Sequence, residues 1–169
     1  MKKISFWFLM VLLVSLNIAT ESQNLLVNPS FEERIPNGMP QGWSAACDGG
    51  STASWDANAY RGNGAGKINK VRDETSFVAA LTQTVSVAPN TQYTLSGFAF
   101  SQGMKNGVAV LFAYEFDVNE NYLGLIKCAM VPINGGGYQP IAINLTTRPE
   151  TKWLEVRFEI VQKTAEGQA

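Results

Sequence analysis

The sequence predicts an all-β sandwich or jelly roll, and three observations carry that reading. After Asn24, apolar residues alternate with a period of two in several segments, as strands with one buried face require. Turn signals separate those segments, among them Pro36-Asn37-Gly38, Asp48-Gly49-Gly50, Pro89-Asn90 and Asn119-Glu120-Asn121. No stretch after Asn24 sustains a helical period, so many short strands with regular turns point to two packed sheets.

The elements follow in order. Residues 43–47, 52–56 and 66–71 read as short strands, and 77–87 as a longer one. Within 77–87, Gln83 falls in register with Leu81 and Val85 and therefore points inward, where it would tie a neighbouring loop. Residues 91–101 place Tyr93, Leu95, Gly97 and Ala99 on one side and Thr94, Ser96, Phe98 and Phe100 on the other. Residues 106–117 place Val108, Val110, Phe112, Tyr114 and Phe116 opposite Ala109, Leu111, Ala113 and Glu115. Residues 139–145 form another strand. The clearest alternation is 153–161, with Leu154, Val156, Phe158 and Ile160 facing away from Trp153, Glu155, Arg157 and Glu159.

Residues 1–22 read as a signal peptide rather than fold, because Lys2 and Lys3 precede an apolar run over 4–19. With only 16 positions and three polar interruptions, that run falls short of the roughly 20 apolar residues of a spanning helix. Cleavage after Ser22 leaves one domain, residues 23–169, secreted or on the cell surface. Removing Lys2, Lys3 and Glu21 from 13 basic and 14 acidic residues leaves a formal charge of −2. That balance argues against a nucleic-acid partner or a polybasic membrane patch. The chain has no histidine, which excludes Ser-His-Asp, Cys-His and His-ligated metal mechanisms within it. Cys47 and Cys128 are the two cysteines, and in an oxidising compartment they permit one bridge. Two separate buried thiols are the other reading.

The run NLLVNPSFE over residues 24–32, followed by Pro40, Gln41, Gly42 and Trp43, is a distinctive opening. It resembles the start of the carbohydrate-binding modules of families 4, 9, 16 and 22. The similarity continues through 81–95, 116–122 and 153–160, so it covers residues 24 to about 162. The resemblance implies a β-jelly roll that binds poly- or oligosaccharide and is often joined to a larger secreted polysaccharide-degrading enzyme. It also implies a structural calcium ion. The Glu32 side chain and the Ser30 carbonyl match ligand positions, and the 61–64 loop matches the one that supplies carbonyls from Arg61 and Gly64. Calcium suits such a set because it takes 6–8 hard oxygen ligands in irregular geometry. The sequence departs from the family pattern in one respect. The closing strand, which carries a further aspartate ligand, is not found before Ala169, so either the sequence is a fragment or the jelly roll lacks its last strand.

Glycan recognition needs aromatic faces for the apolar side of a sugar ring, with polar groups around them for hydroxyls. Phe98 and Phe100 are the leading candidates, since they share a face opposite the Tyr93 and Leu95 side assigned to the core. Two phenyl rings on a solvent face would form an apolar strip. Trp55 and Tyr60 would rim it, and Glu115, Trp153, Glu155 and Arg157 would add rings and charge from neighbouring strands. The opposite parity, with Phe98 and Phe100 in the core, is the alternative, and Trp43 reads as structural. Glu155 and Glu159 flank Arg157 as an ion-pair ladder does. No hydrophobic pocket is evident that would raise a carboxyl for glycoside hydrolysis. The chain therefore reads as non-catalytic. A structural or adhesive β-sandwich without glycan binding, or the non-catalytic part of a glycoside hydrolase, is the alternative.

Overall fold

The computed structural model describes residues 23–71, 78–102, 107–131 and 137–162. The expected signal peptide, residues 1–22, and the segment 163–169 lie outside the described residues, as do 72–77, 103–106 and 132–136. Nine strands are described: β1 (Ser44–Cys47), β2 (Thr52–Asp56), β3 (Ala65–Asn69), β4 (Ala79–Ser86), β5 (Gln92–Ala99), β6 (Gly107–Phe116), β7 (Tyr122–Val131), β8 (Gln139–Thr146) and β9 (Trp153–Gln162). They form a five-stranded antiparallel sheet in the order β1-β4-β9-β6-β7, a β2-β3 hairpin and a β5-β8 pair. The architecture is an all-β jelly-roll sandwich.

Register explains which side chains meet. In the five-stranded sheet, Leu81, Phe158, Leu111 and Ala129 lie in one row across β4, β9, β6 and β7. That row faces inward, with Leu81 only 1% exposed. The next row, Thr82, Arg157, Phe112 and Cys128, faces the other way because successive strand residues alternate sides. Across the sandwich, β5 and β8 contribute Leu95, Ala99, Ile141, Ile143 and Leu145. One core cluster gathers around Trp43, Leu81 and Leu111, and a second around Val87, Leu154 and Leu145.

The segment before β1 is held by side chains rather than by a backbone ladder. Gln83, buried in the sheet, accepts from the Val27 amide at 2.7 Å through Oε1. Its Nε2 donates to the carbonyls of Val27 at 3.0 Å and Gly42 at 2.8 Å. This amide meets the loop-tying role expected of it. The Trp43 indole donates to the Asn28 carbonyl, and the Phe31 ring lies 4.9 Å from that of Trp43.

Two sequence expectations need correction. Cys47 and Cys128 are both free thiols, not a bridge. They sit on β1 and β7, opposite edges of the five-stranded sheet, four strand spacings or about 19 Å apart. They also occupy opposite faces: Cys47 bonds weakly to the Ala80 carbonyl, whereas Cys128 is exposed opposite Phe112. A disulfide needs Cα atoms within about 7 Å, so this fold cannot form one. The second correction is β7, which the alternation rule did not reveal. Its sequence, YLGLIKCAMV, sets Leu125 beside Ile126, and register shifts occur opposite Ala113–Tyr114 and Glu115–Phe116. Bulges of that kind break the period that a sequence reading counts.

Candidate functional site

Aromatic residues reach the surface on two separate exterior faces. The first is the outer side of the five-stranded sheet. Three of its rows carry the groups of interest: Thr82–Arg157–Phe112, Thr84–Glu155–Tyr114–Leu125 and Ser86–Trp153–Phe116–Tyr122. Phe112 and Tyr114, two positions apart on β6, stack with centroids 5.4 Å apart. Tyr122 lies 6.0 Å from Tyr114 and 5.7 Å from Phe116. These four rings make a continuous band across β6 and β7.

Charge is set beside the band by β9. The Arg157 guanidinium lies 5.3 Å from the Tyr114 ring centroid, bridges to Glu155 at 2.8 Å and reaches Glu159 at 3.5 Å. Burial works against the Arg157 charge, but Glu155 and Glu159 outweigh it and hold the group above its ordinary range. Burial pushes the Glu159 carboxyl upward, with Arg157 and Lys70 pulling it partly back. Burial also raises Tyr114, with Glu159 adding to the effect. The Trp153 indole N–H is enclosed and has no hydrogen-bond partner among the described residues. The face thus combines flat rings with a pre-oriented set of donors and acceptors.

The second face is the outer side of β5 and β8. Phe98 and Phe100 point outward here, 49% and 37% exposed, while Ala99 between them is buried. Tyr60 stacks on Phe98 at 4.0 Å with planes 21° apart. Tyr138 lies 5.5 Å from Tyr60 and 5.8 Å from Phe100, and its hydroxyl donates to the Asn58 carbonyl at 2.6 Å. Burial raises the Tyr138 phenol, and Asp56 adds to the shift.

The sequence expectation of one surface uniting Phe98, Phe100, Trp153, Glu155 and Arg157 is therefore divided between two sides of the sandwich. Tyr60 joins the phenylalanines. Trp55 does not: its indole donates to the Phe31 carbonyl at 2.7 Å and Arg34 lies 4.7 Å over its ring. Glu115 needs outright correction as a ligand-facing residue, because it is 0% exposed on the inner side of β6. Its carboxylate accepts from the Thr151 hydroxyl at 2.6 Å and the Arg148 amide at 2.8 Å, and pairs with the Arg148 guanidinium at 3.2 Å. This buried carboxylate fastens the 147–151 turn through Oε1, while Oε2 is met only by the Arg148 ion pair. Sequence reasoning passed over Phe112, Tyr114, Phe116, Tyr122 and Tyr138. The shared parity of the first three with Val108 and Val110 made them look like core.

At the corner expected to hold calcium, Glu32 meets the 61–64 loop. Both Glu32 oxygens accept from the Asn63 amide, at 3.0 and 3.2 Å, and Asn63 Nδ2 donates to Oε2 at 3.2 Å. Gly62, at φ +75°, lies so close that a Cβ there would stand 1.9 Å from Glu32 Oε1. Among the described residues no group of three acidic or thiol side chains converges on one point. The Glu32 carboxylate meets the 61–64 loop through the Asn63 amide donors, which occupy both of its oxygens.

No family model matches the chain, and no curated protein matches it. Solved structures show the fold. The enzymatically active domain of tailspike protein 4 from bacteriophage CBA120 is similar over 84% of this chain at 15% identity, with a TM-score of 0.64. This chain spans 20% of that one. The C-terminal family 22 carbohydrate-binding module of Clostridium thermocellum Xyn10B matches over 79% of this chain and 87% of its own, at 14% identity and a TM-score of 0.51. A family 4 carbohydrate-binding module matches over 83% and 91% at 16% identity, also with a TM-score of 0.51. The chain has the β-sandwich fold of these modules.

Proposed function

We propose that this protein is a secreted, non-catalytic module that binds poly- or oligosaccharide on the outer face of its five-stranded sheet. The observation that carries the reading is the band of Phe112, Tyr114, Phe116 and Tyr122 beside the Glu155–Arg157–Glu159 ladder. Sugar rings offer C–H faces that pack on aromatic rings, and hydroxyls that match fixed carboxylates and a guanidinium. The similarity in fold to modules of families 4 and 22, whose names describe carbohydrate binding, supports the same reading. Export through residues 1–22 and attachment to a larger polysaccharide-degrading enzyme belong to the proposal. So does calcium at the Glu32 corner, where Glu32 and the 61–64 carbonyls would hold the ion. Its chemistry there would be structural, fixing the loop that follows Tyr60.

Binding is expected in the micromolar-to-millimolar range, roughly −8 to −4 kcal/mol, because sugars exchange water hydrogen bonds for protein ones. Affinity electrophoresis on soluble xylan and β-glucan tests it. The parent should be retarded, and Tyr114→Ala and Arg157→Ala should each migrate freely while remaining folded. A parent that no glycan in a broad panel retards would leave the structural or adhesive domain as the better reading.

A further inference from the structure

One end of the sandwich holds a second feature, reaching between the layers, that the band on the five-stranded sheet does not use. A cavity of about 340 Å³ opens where β3, Phe100 and Tyr138 meet the ends of β6 and β9. That volume lies within the roughly 300–1,000 Å³ span of small-molecule sites. Ala109, Phe158 and Ile160 contribute apolar lining, and Phe100 and Tyr138 stand as aromatic walls. Asn58, Asn69 and Gln102 also line it. None of these three side-chain amides has a hydrogen-bond partner among the described residues. The charged pair at the cavity, Asp56 and Lys67, is closed on itself at 2.8 Å, so the lining presents little net charge.

The walls do not stop at the cavity mouth. Tyr138 continues to Tyr60 at 5.5 Å, and Tyr60 to Phe98 at 4.0 Å, giving a run of rings from the cavity onto the open face. An amide both donates and accepts, as a hydroxyl does, and an uncharged lining disfavours an anion or a cation. Rings plus amides around a small cavity fit a neutral pyranose better than a peptide or an ionic ligand.

We infer that this cavity is a second, terminal glycan site: it takes the end ring of a neutral oligosaccharide, and the Tyr60–Phe98 stack carries the next ring. The inference rests on the carbohydrate-binding reading above but uses the end of the sandwich, where the space between the layers opens toward Tyr60 and Phe98. One chain then holds two glycan segments at once.

The test uses the full chain carrying Tyr114→Ala and Arg157→Ala, which disables the five-stranded face. Cellobiose and xylobiose are titrated into the ¹⁵N-labelled protein while the side-chain amide signals of Asn58, Asn69 and Gln102 are followed. At least one disaccharide should shift these signals along a saturable millimolar curve. Phe100→Ala and, separately, Asn69→Ala should weaken that curve roughly tenfold. Asn69 is exposed on β3, so its variant remains informative even where Phe100→Ala fails to fold. No saturable shift with either sugar overturns the site, and so does a shift unchanged by both substitutions. A gain of more than roughly tenfold from disaccharide to hexasaccharide overturns the terminal assignment, because a pocket for chain ends gains little from further rings. Loss of xylan retention in the parent would count against the five-stranded face alone and leave this titration unaffected.

Discussion

The two aromatic faces of this sandwich are built by different means. On the five-stranded sheet the rings come from the strands themselves, Phe112, Tyr114 and Phe116 at every second position of β6, with Tyr122 opposite on β7. Strand register sets their spacing, and β9 places a charged row beside them. On the β5-β8 side only Phe98 is a strand residue, with Phe100 just past the end of β5, and the stack depends on Tyr60 and Tyr138 from connecting segments. A face set by register is rigid because the three β6 rings are fixed by ladder bonds to β9 and β7 on either side, and only Tyr122 sits on an edge strand. A face assembled from loops is only as fixed as the loops. The Glu32–Asn63 clasp, three residues beyond Tyr60, is therefore part of the second face although it touches no ring there.

The contrast can be broken most severely at β6, where adjacent residues serve opposite sides. Leu111→Ala should cost about 2–5 kcal/mol in urea denaturation, since it empties a core position. Tyr114→Ala, three residues on, should cost far less and lose glycan retention instead; equal destabilisation by both would mean the outer band is a covered core. Next comes Glu115→Ala, expected to cost about 2–4 kcal/mol by removing the acceptor of the Thr151 hydroxyl and leaving the Arg148 amide with Thr151 Oγ1 alone. A stable variant with impaired glycan retention would return Glu115 to the ligand side. For the loop-built face, calcium at 100 times its dissociation constant should raise stability by about 2.7 kcal/mol, read as a higher melting temperature reversed by chelator. Glu32→Ala should remove that rise, and no rise in the parent would take calcium out of the account.

The smallest expected effects are in pH dependence, and they have opposite signs on the two sides. Burial raises the Glu159 carboxyl, so its contribution is fully present below the ordinary glutamate value and is lost as pH rises through the raised one. Asp56, lowered chiefly by its hydrogen bond from Lys67, contributes above the ordinary aspartate value and loses that contribution as pH falls through the lowered one. Comparing melts at pH 7 and in mild acid, Glu159→Gln should lose more stability than the parent on acidification, and Asp56→Asn less. Each difference should stay near or below about 1 kcal/mol, because each carboxyl is paired with a cation still in reach of water. Matching signs for the two variants would contradict the assigned environments.

What could be read from the sequence follows from where period-two alternation survives. In 153–161 it is unbroken in the sequence, and Leu154 and Val156 are buried while Arg157 faces out, but the burial of Glu159 on the outer side is not in the pattern. Phe98 and Phe100 lie outside, as the parity with Tyr93 and Leu95 inward has them, although the pattern alone also allows the opposite parity. On β6 both sides are apolar, Val110, Phe112 and Tyr114 against Ala109, Leu111 and Ala113, so the pattern names two faces without saying which is core. Glu115 then looked like the exposed choice, since a carboxylate is rarely buried unless paired. Its partners, Arg148 and Thr151, lie more than 30 residues away and leave no local signal. Which strands share a sheet was equally hidden, and with it the separation of Phe98 from Trp153. Tyr138 sits between a glycine run and a short strand, where spacing says nothing about the ring it will meet.

The Gln83 side chain has a dynamic consequence. Its amide copies the donor and acceptor of a peptide group and pairs with both halves of Val27, forming a single rung where a strand would supply several. A single rung opens without the sheet below it coming apart. The rest of 24–42 is held separately, by the Trp43 and Trp55 indoles on the Asn28 and Phe31 carbonyls and by Asn63 on Glu32, so turning that one rotamer frees only the stretch around Val27. Hydrogen exchange at the Val27 amide would time that release directly. Its protection should fall well short of the protection shown by the β6 and β9 amides at the centre of the five-stranded sheet.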